Sequence, residues 1–263
     1  MKSNLFFHFS IFFQLVRRDL LVFRYEFKDK FIDTVFMLLT NVLIFGYVMT
    51  HLGLMGNYGE FILIGAIASF GFFEVIGRVG TLITDICGDR TISYTLTLPL
   101  PSWAVFSYIA VSWAICSSAL AIPLFPIGKL ILLSKFQLTH FSLLRFIPIF
   151  LITNLFFGFF ALWITTLIKD IRQINTIWFR IVNPCFMFGG YFYPWKALYD
   201  VSPVFGTLNL INPFLYIMEG MRAAVLGQQG YLPFIVSFLA LCIFTASFGL
   251  SGIKRLKKRL DTP

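Results

Sequence analysis

Charge is what this sequence has least of. Of 263 residues only 12 are Asp or Glu and 21 are Lys or Arg, 13% together, about half the share a soluble globular domain carries. Histidine is nearly absent, with His8, His51 and His140 the only three. The four cysteines, Cys87, Cys116, Cys185 and Cys242, lie far apart and form no Cys-x-x-Cys pair. No metal site or disulfide is therefore expected, and the thiols read as small apolar core residues. No G-x-x-x-x-G-K-S/T phosphate loop, G-x-S-x-G elbow or H-E-x-x-H pair occurs, which argues against a self-contained enzyme. The opening apolar stretch is broken by Arg17, Arg18 and Asp19 without a small-residue cleavage site, so no cleavable signal peptide is expected.

What the chain has is apolar length. Hydrophobic residues make up 58% and phenylalanine alone supplies 34 positions, more than one core of this size could shelter from water. A hydrocarbon layer roughly 30 Å thick takes about 20 residues of helix. Six stretches qualify: residues 34–52, 61–84, 103–127, 146–168, 177–194 and 231–253. The fifth contains Arg180 and the pairs Asn183-Pro184 and Gly189-Gly190, the composition of a broken helix. The expected fold is an all-α integral membrane protein: an interfacial segment (1–31), six transmembrane helices within 32–253, and a basic tail (254–263).

The cations set the orientation. If both ends face the cytoplasm, fifteen Lys and Arg fall in inner segments and five in outer ones, with Arg78 inside a span. That asymmetry predicts cytoplasmic termini. The formal charge of +9 then reports topology and attraction to anionic membrane lipid, not a nucleic-acid partner. Within residues 1–31, Phe6, Phe9, Phe13, Val16, Leu20, Phe23 and Phe27 share one helical face, and Ser10, Gln14, Arg17, Arg24 and Lys28 share another. This pattern suits a helix in the cytoplasmic headgroup layer, a partner protein's surface, or both.

Two groups of polar residues stand out against the apolar background. Glu74 and Arg78 lie four apart inside the second span, where an acid followed by a base can share one helical face. They are either a functional intramembrane pair or a snorkelling arginine with its counter-ion. The segment 195–230 is too apolar for a solvated loop, and reads as one or two short helices dipping into the outer leaflet. There Asn212 can cap a helix begun by Pro213, and Glu219 and Arg222 stand three apart, a spacing that predicts an ion pair.

These residues carry a resemblance. Asn212-Pro213-Phe214-Leu215-Tyr216-Ile217-Met218-Glu219-Gly220-Met221-Arg222 resembles the N-P-x-x-Y-x-x-E-x-x-R signature near the last span of type-2 ABC-exporter permeases. Gly189-Gly190-Tyr191-Phe192-Tyr193-Pro194 is similar to the turn that precedes it in that family, and Thr97-Leu98-Pro99-Leu100-Pro101 to the stretch after the second span.

The resemblance implies a permease subunit in a bacterial inner (plasma) membrane, working as a homodimer with two copies of a cognate ABC ATPase. ATP and magnesium would be bound by that ATPase, and this chain would bind no cofactor. Residues 85–102 would be the coupling segment that docks on it, with Asp89, Arg90 and Tyr94 as contacts. The cargo would be an amphipathic drug or a glycan or glycolipid, with analogy leaning slightly to the latter. The aromatics Tyr191, Phe192, Tyr193 and Trp195 could stack on sugar rings or form an ordinary interfacial belt. An ion-coupled secondary transporter and a non-transporting membrane assembly protein stay open as alternatives.

Overall fold

The structure, a computed structural model, describes residues 2–53, 58–88, 90–133, 136 and 139–261. It is 85% helix, with no strand among the described residues. The first helix, α1 (Lys2–Leu43), continues through a π-helical turn at Ile44–Val48 to His51. The sequence has no Gly or Pro before Gly46, so nothing separates the amphipathic segment from the first span. At 1.5 Å per residue α1 is about 63 Å long, twice the hydrocarbon thickness. Its N-terminal half therefore lies beyond the span as part of the same rod, not as a separate helix.

The second long helix, α2 (Tyr58–Cys87), is followed by the short α3 (Thr91–Leu96). Next come α4 (Ser102–Ala121) and α5 (Leu124–Leu132), joined at Ile122-Pro123, and then α6 (Leu143–Leu167). A helical rod from Ile171 to Phe188 changes pitch three times: 3-10 at Ile171–Gln173, α at Ile174–Ile177, π at Trp178–Val182, and α again in α7 (Asn183–Phe188). Three helices follow, α8 (Trp195–Val201), α9 (Pro203–Asn209) and α10 (Pro213–Val225), before the closing α11 (Phe234–Asp261).

Among the described residues five helices are long and apolar enough to cross a membrane: Phe6–His51, Tyr58–Cys87, Ser102–Leu132, Leu143–Leu167 and Phe234–Leu260. The rod Ile171–Phe188 corresponds to the fifth stretch, the remaining one of the six. It is broken as its composition suggests, although the sharpest change of pitch falls at Trp178–Val182, before the Asn183-Pro184 pair. The apolar segment expected to hold one or two short helices holds three.

Packing is uneven. α6 lies along α11 and α4, and α10 is packed against α2, α6, α7 and α11. Every residue from Pro213 to Val225 is buried. Phe214 sits edge-on to Phe72 of α2 at 4.8 Å and to Phe160 of α6 at 5.6 Å, geometries that favour the ring quadrupoles. A thirteen-residue helix enclosed by the long ones is the centre of the fold.

Candidate functional site

The residues singled out by sequence fall in three places: a buried knot around α10, a charge cluster between α1 and α2, and an exposed elbow at α3.

In the knot, Asn212 does what its sequence context predicts. Its Oδ1 accepts the Phe214 N–H at 3.1 Å, Pro213 occupies the first turn, and its Nδ2 donates to the Cys185 carbonyl at 2.7 Å. This caps α10 and ties it to α7. Tyr216 donates its hydroxyl to the Leu210 carbonyl at 2.7 Å, holding the α9–α10 connection.

Glu219 and Arg222 depart from expectation, because each has backbone partners and no ion pair joins them. Glu219 accepts the Trp195 N–H on Oε1 and the Leu232 N–H on Oε2, both at 2.9 Å. Trp195 opens α8, where a first-turn N–H has no intrahelical acceptor. Leu232 lies just ahead of α11. Arg222 donates to the carbonyls of Gly190 at 2.5 Å, Tyr191 at 2.8 Å and Phe61 at 3.3 Å. Its guanidinium carbon also lies 3.4 Å from the Phe61 ring centroid, a cation–π contact. Both side chains are fully buried.

The physical reason for the correction is competition. The two side chains have separate backbone partners within reach, N–H groups of Trp195 and Leu232 for Glu219 and carbonyls of Phe61, Gly190 and Tyr191 for Arg222, and charged side chains bond such groups more strongly than neutral ones could. Two glycines make the arrangement possible. Gly190 turns with φ +82°, and a Cβ on Gly65 would come 2.9 Å from Arg222 Nη2.

The aromatics near the turn serve the same knot. Tyr191 is buried, its ring packed between Phe186 and Phe192 at 5.2 and 4.8 Å, and its hydroxyl donates to Asn41 Oδ1 at 3.2 Å. The Phe192 carbonyl accepts from Tyr58 at 2.7 Å, Tyr193 reaches the Phe188 carbonyl at 3.2 Å, and Trp195 Nε1 donates to the Gly206 carbonyl at 2.8 Å. A groove of about 230 Å³ opens beside them between α1, α2 and α7, with Asn41, Phe70, Asn183, Phe186 and Tyr191 in its walls.

In the charge cluster, Arg78 Nε lies 2.8 Å from Glu74 Oε1, at the spacing expected from sequence. Lys30 of α1 joins at 2.7 Å and also meets Glu26 at 2.8 Å. Glu74 is thus flanked by two cations, one from each helix. Lys30 was not legible as a member, since 44 residues separate it from Glu74.

The elbow is built by a residue the coupling assignment had passed over. Asp85, in the last turn of α2, accepts the Thr91 N–H on Oδ1 at 2.8 Å and the Ile92 N–H on Oδ2 at 2.9 Å, together with the Thr91 hydroxyl. The chain doubles back through Arg90, which adopts a left-handed φ of +52° and donates its N–H to the Asp85 carbonyl at 2.7 Å. One carboxylate therefore fixes the start of α3 to the end of α2. Arg90 is exposed and Tyr94 is 75% exposed; Asp89 lies outside the described residues. Behind α3 is a cavity of about 540 Å³ bounded by Arg18 and Asp19 of α1, Asp85, and Tyr108 and Trp113 of α4.

The family model of ABC-2 type transporters matches residues 11–226, from within α1 to the end of α10. The chain belongs to the ABC-2 type transporter family. It is accordingly an integral membrane permease component, not itself catalytic, and membership implies a partner ATP-binding subunit. No curated protein matches the chain. The match takes in the knot, the cluster and the elbow, so all three belong to the permease domain and not to an appendage.

Proposed function

We propose that this permease is the membrane subunit of an ATP-driven exporter that moves an amphipathic or glycan/glycolipid cargo outward from the cytoplasmic side. ATP and magnesium reside on a separate ABC ATPase, and two copies of this chain form the pore in a bacterial inner membrane. The rod Ile171–Phe188 is the fifth of six crossings in chain order, and α8 to α10 form the outer re-entrant segment. Both termini are cytoplasmic, in keeping with the excess of Lys and Arg on that side.

The observation that carries this reading is the elbow. A short helix between two span-length helices presents Arg90 and Tyr94 outward while Asp85 anchors its start to α2. A surface helix with a fixed root can receive a push from a docked subunit and pass it to the helix it is rooted in. Asp85, Arg90 and Tyr94 are thus the coupling set, with Asp89 beside them in sequence. The knot at α10 shapes the outer mouth.

The test is co-purification of the detergent-solubilised chain with its cognate ATPase. The ATPase is expected to accompany the wild type and to be lost from Arg90→Glu, while membrane insertion is unchanged. Retention of the ATPase and of transport by Arg90→Glu would remove the elbow from the coupling role.

A further inference from the structure

Among the described residues Arg180 stands apart from the other charges discussed above. Glu74 is held by Lys30 and Arg78, Glu219 by two backbone N–H groups and Arg222 by three carbonyls. Arg180 is exposed and has no hydrogen-bond or ion-pair partner among the described residues. It lies about 14 Å along the rod from Ile171 at 1.5 Å per residue, roughly halfway to the end of the rod at Phe188. With the rod as a crossing, as proposed above, an unpartnered guanidinium midway along it is a costly placement unless a ligand or partner meets it. The face it occupies is not an apolar one either: Gln173 and Thr176 are exposed below it, and Asn183 is half-buried above it.

Backbone geometry singles out the same position. Arg180 is the central residue of the π-helical turn Trp178–Val182, and such insertions in helices often occur at functional sites. One turn further on, Asn183 and Met187 line the groove of about 230 Å³ with Met37, Phe70, Phe73 and Phe186. An exposed cation thus neighbours a mostly apolar groove. That is the complement of an amphipath with a negative head.

We propose that Arg180 receives the anionic headgroup, a phosphate or carboxylate, of the transported amphipath, and that the adjacent groove takes part of its apolar portion. The inference rests on the permease reading in that the ligand is the cargo, and it makes Arg180 a residue that selects anionic over neutral cargo.

The test uses the full chain in phosphatidylcholine nanodiscs, without ATPase, and equilibrium binding of hexadecyl phosphate and of hexadecyl glucoside. Wild type is expected to bind the phosphate about tenfold more tightly than the glucoside, the scale of one charge-assisted contact. Arg180→Gln should erase that preference with glucoside binding unchanged, and Arg180→Lys should keep most of it. Inorganic phosphate, lacking a tail, should compete poorly.

Equal binding of the two probes by wild type overturns the proposal even if Arg180→Gln fails to fold. So does a preference that survives in Arg180→Gln, or competition by inorganic phosphate as strong as that of the amphipath. Dissociation of a dimer by Arg180→Gln with the preference intact would instead assign the residue to contact with a second copy. A chain that lacks the preference yet co-purifies with an ATPase refutes only the Arg180 assignment. A chain that shows the preference but never associates with an ATPase refutes only the coupling reading.

Discussion

The α10 knot and the α3 elbow use charge in opposite ways. In the knot an acid and a base are completely buried, and between them they satisfy five backbone groups from four separate segments. In the elbow one carboxylate does the internal work, and the exposed residues Arg90 and Tyr94 bond to nothing through their side chains among the described residues. The first arrangement fixes a shape, while the second fixes only the root of a surface and leaves the surface open to a partner. Within one chain, burial of charge marks the part that must hold still and exposure marks the part that must be touched.

The contrast breaks most directly at Arg222. Arg222→Gln leaves carbonyls of Phe61, Gly190 and Tyr191 without a donor and Glu219 without its nearby positive charge. The expected loss is about 3–5 kcal/mol, read as a collapse in folded yield or a large fall in thermal midpoint in detergent. Glu219→Gln is the next largest at about 2–4 kcal/mol, because an amide replaces one of two acceptors where N–H groups from Trp195 and Leu232 converge. The double change sharpens the assignment of partners. A direct ion pair would make the double variant about as stable as either single one, whereas separate backbone partners make it worse than both. A double variant equal to the singles would restore the pair that the three-residue spacing suggests.

At the elbow the stability effects are smaller and the functional ones larger. Asp85→Ala removes a cap and is expected to cost about 1–2 kcal/mol, leaving the chain foldable while ATPase association falls sharply. Wild-type association in that variant would show that α3 does not need its root in α2. Arg90→Glu is expected to change stability by less than about 0.5 kcal/mol, as exposed substitutions do, while still abolishing association.

The sequence was most legible where a feature is local. Apolar runs located the five long helices, Asn212-Pro213 announced the start of α10, and Asn183-Pro184 with Gly189-Gly190 announced a break in the rod. Spacing also brought Glu74 and Arg78 together correctly. What stayed hidden depends on distant backbone. The carbonyls that hold Arg222 belong to residues 31, 32 and 161 positions away, and a carbonyl leaves no mark in a sequence. Asp85 was missed for a related reason. A capping residue ordinarily sits immediately before its helix, but here the acceptor lies six residues upstream, across a left-handed Arg90. The π-helical turn at Arg180 lies one turn before Pro184, which has no N–H to give the Arg180 carbonyl, so the sequence marked the irregularity but not its form.

The measurement closest to the central claim is site-specific photocrosslinking from the two regions in the same complex. A benzoylphenylalanine in place of Tyr94 on α3 should capture the ATPase subunit, and one in place of Tyr199 on α8, also exposed, should not. Capture from Tyr199, or none from Tyr94 in a complex that co-purifies intact, would contradict the account.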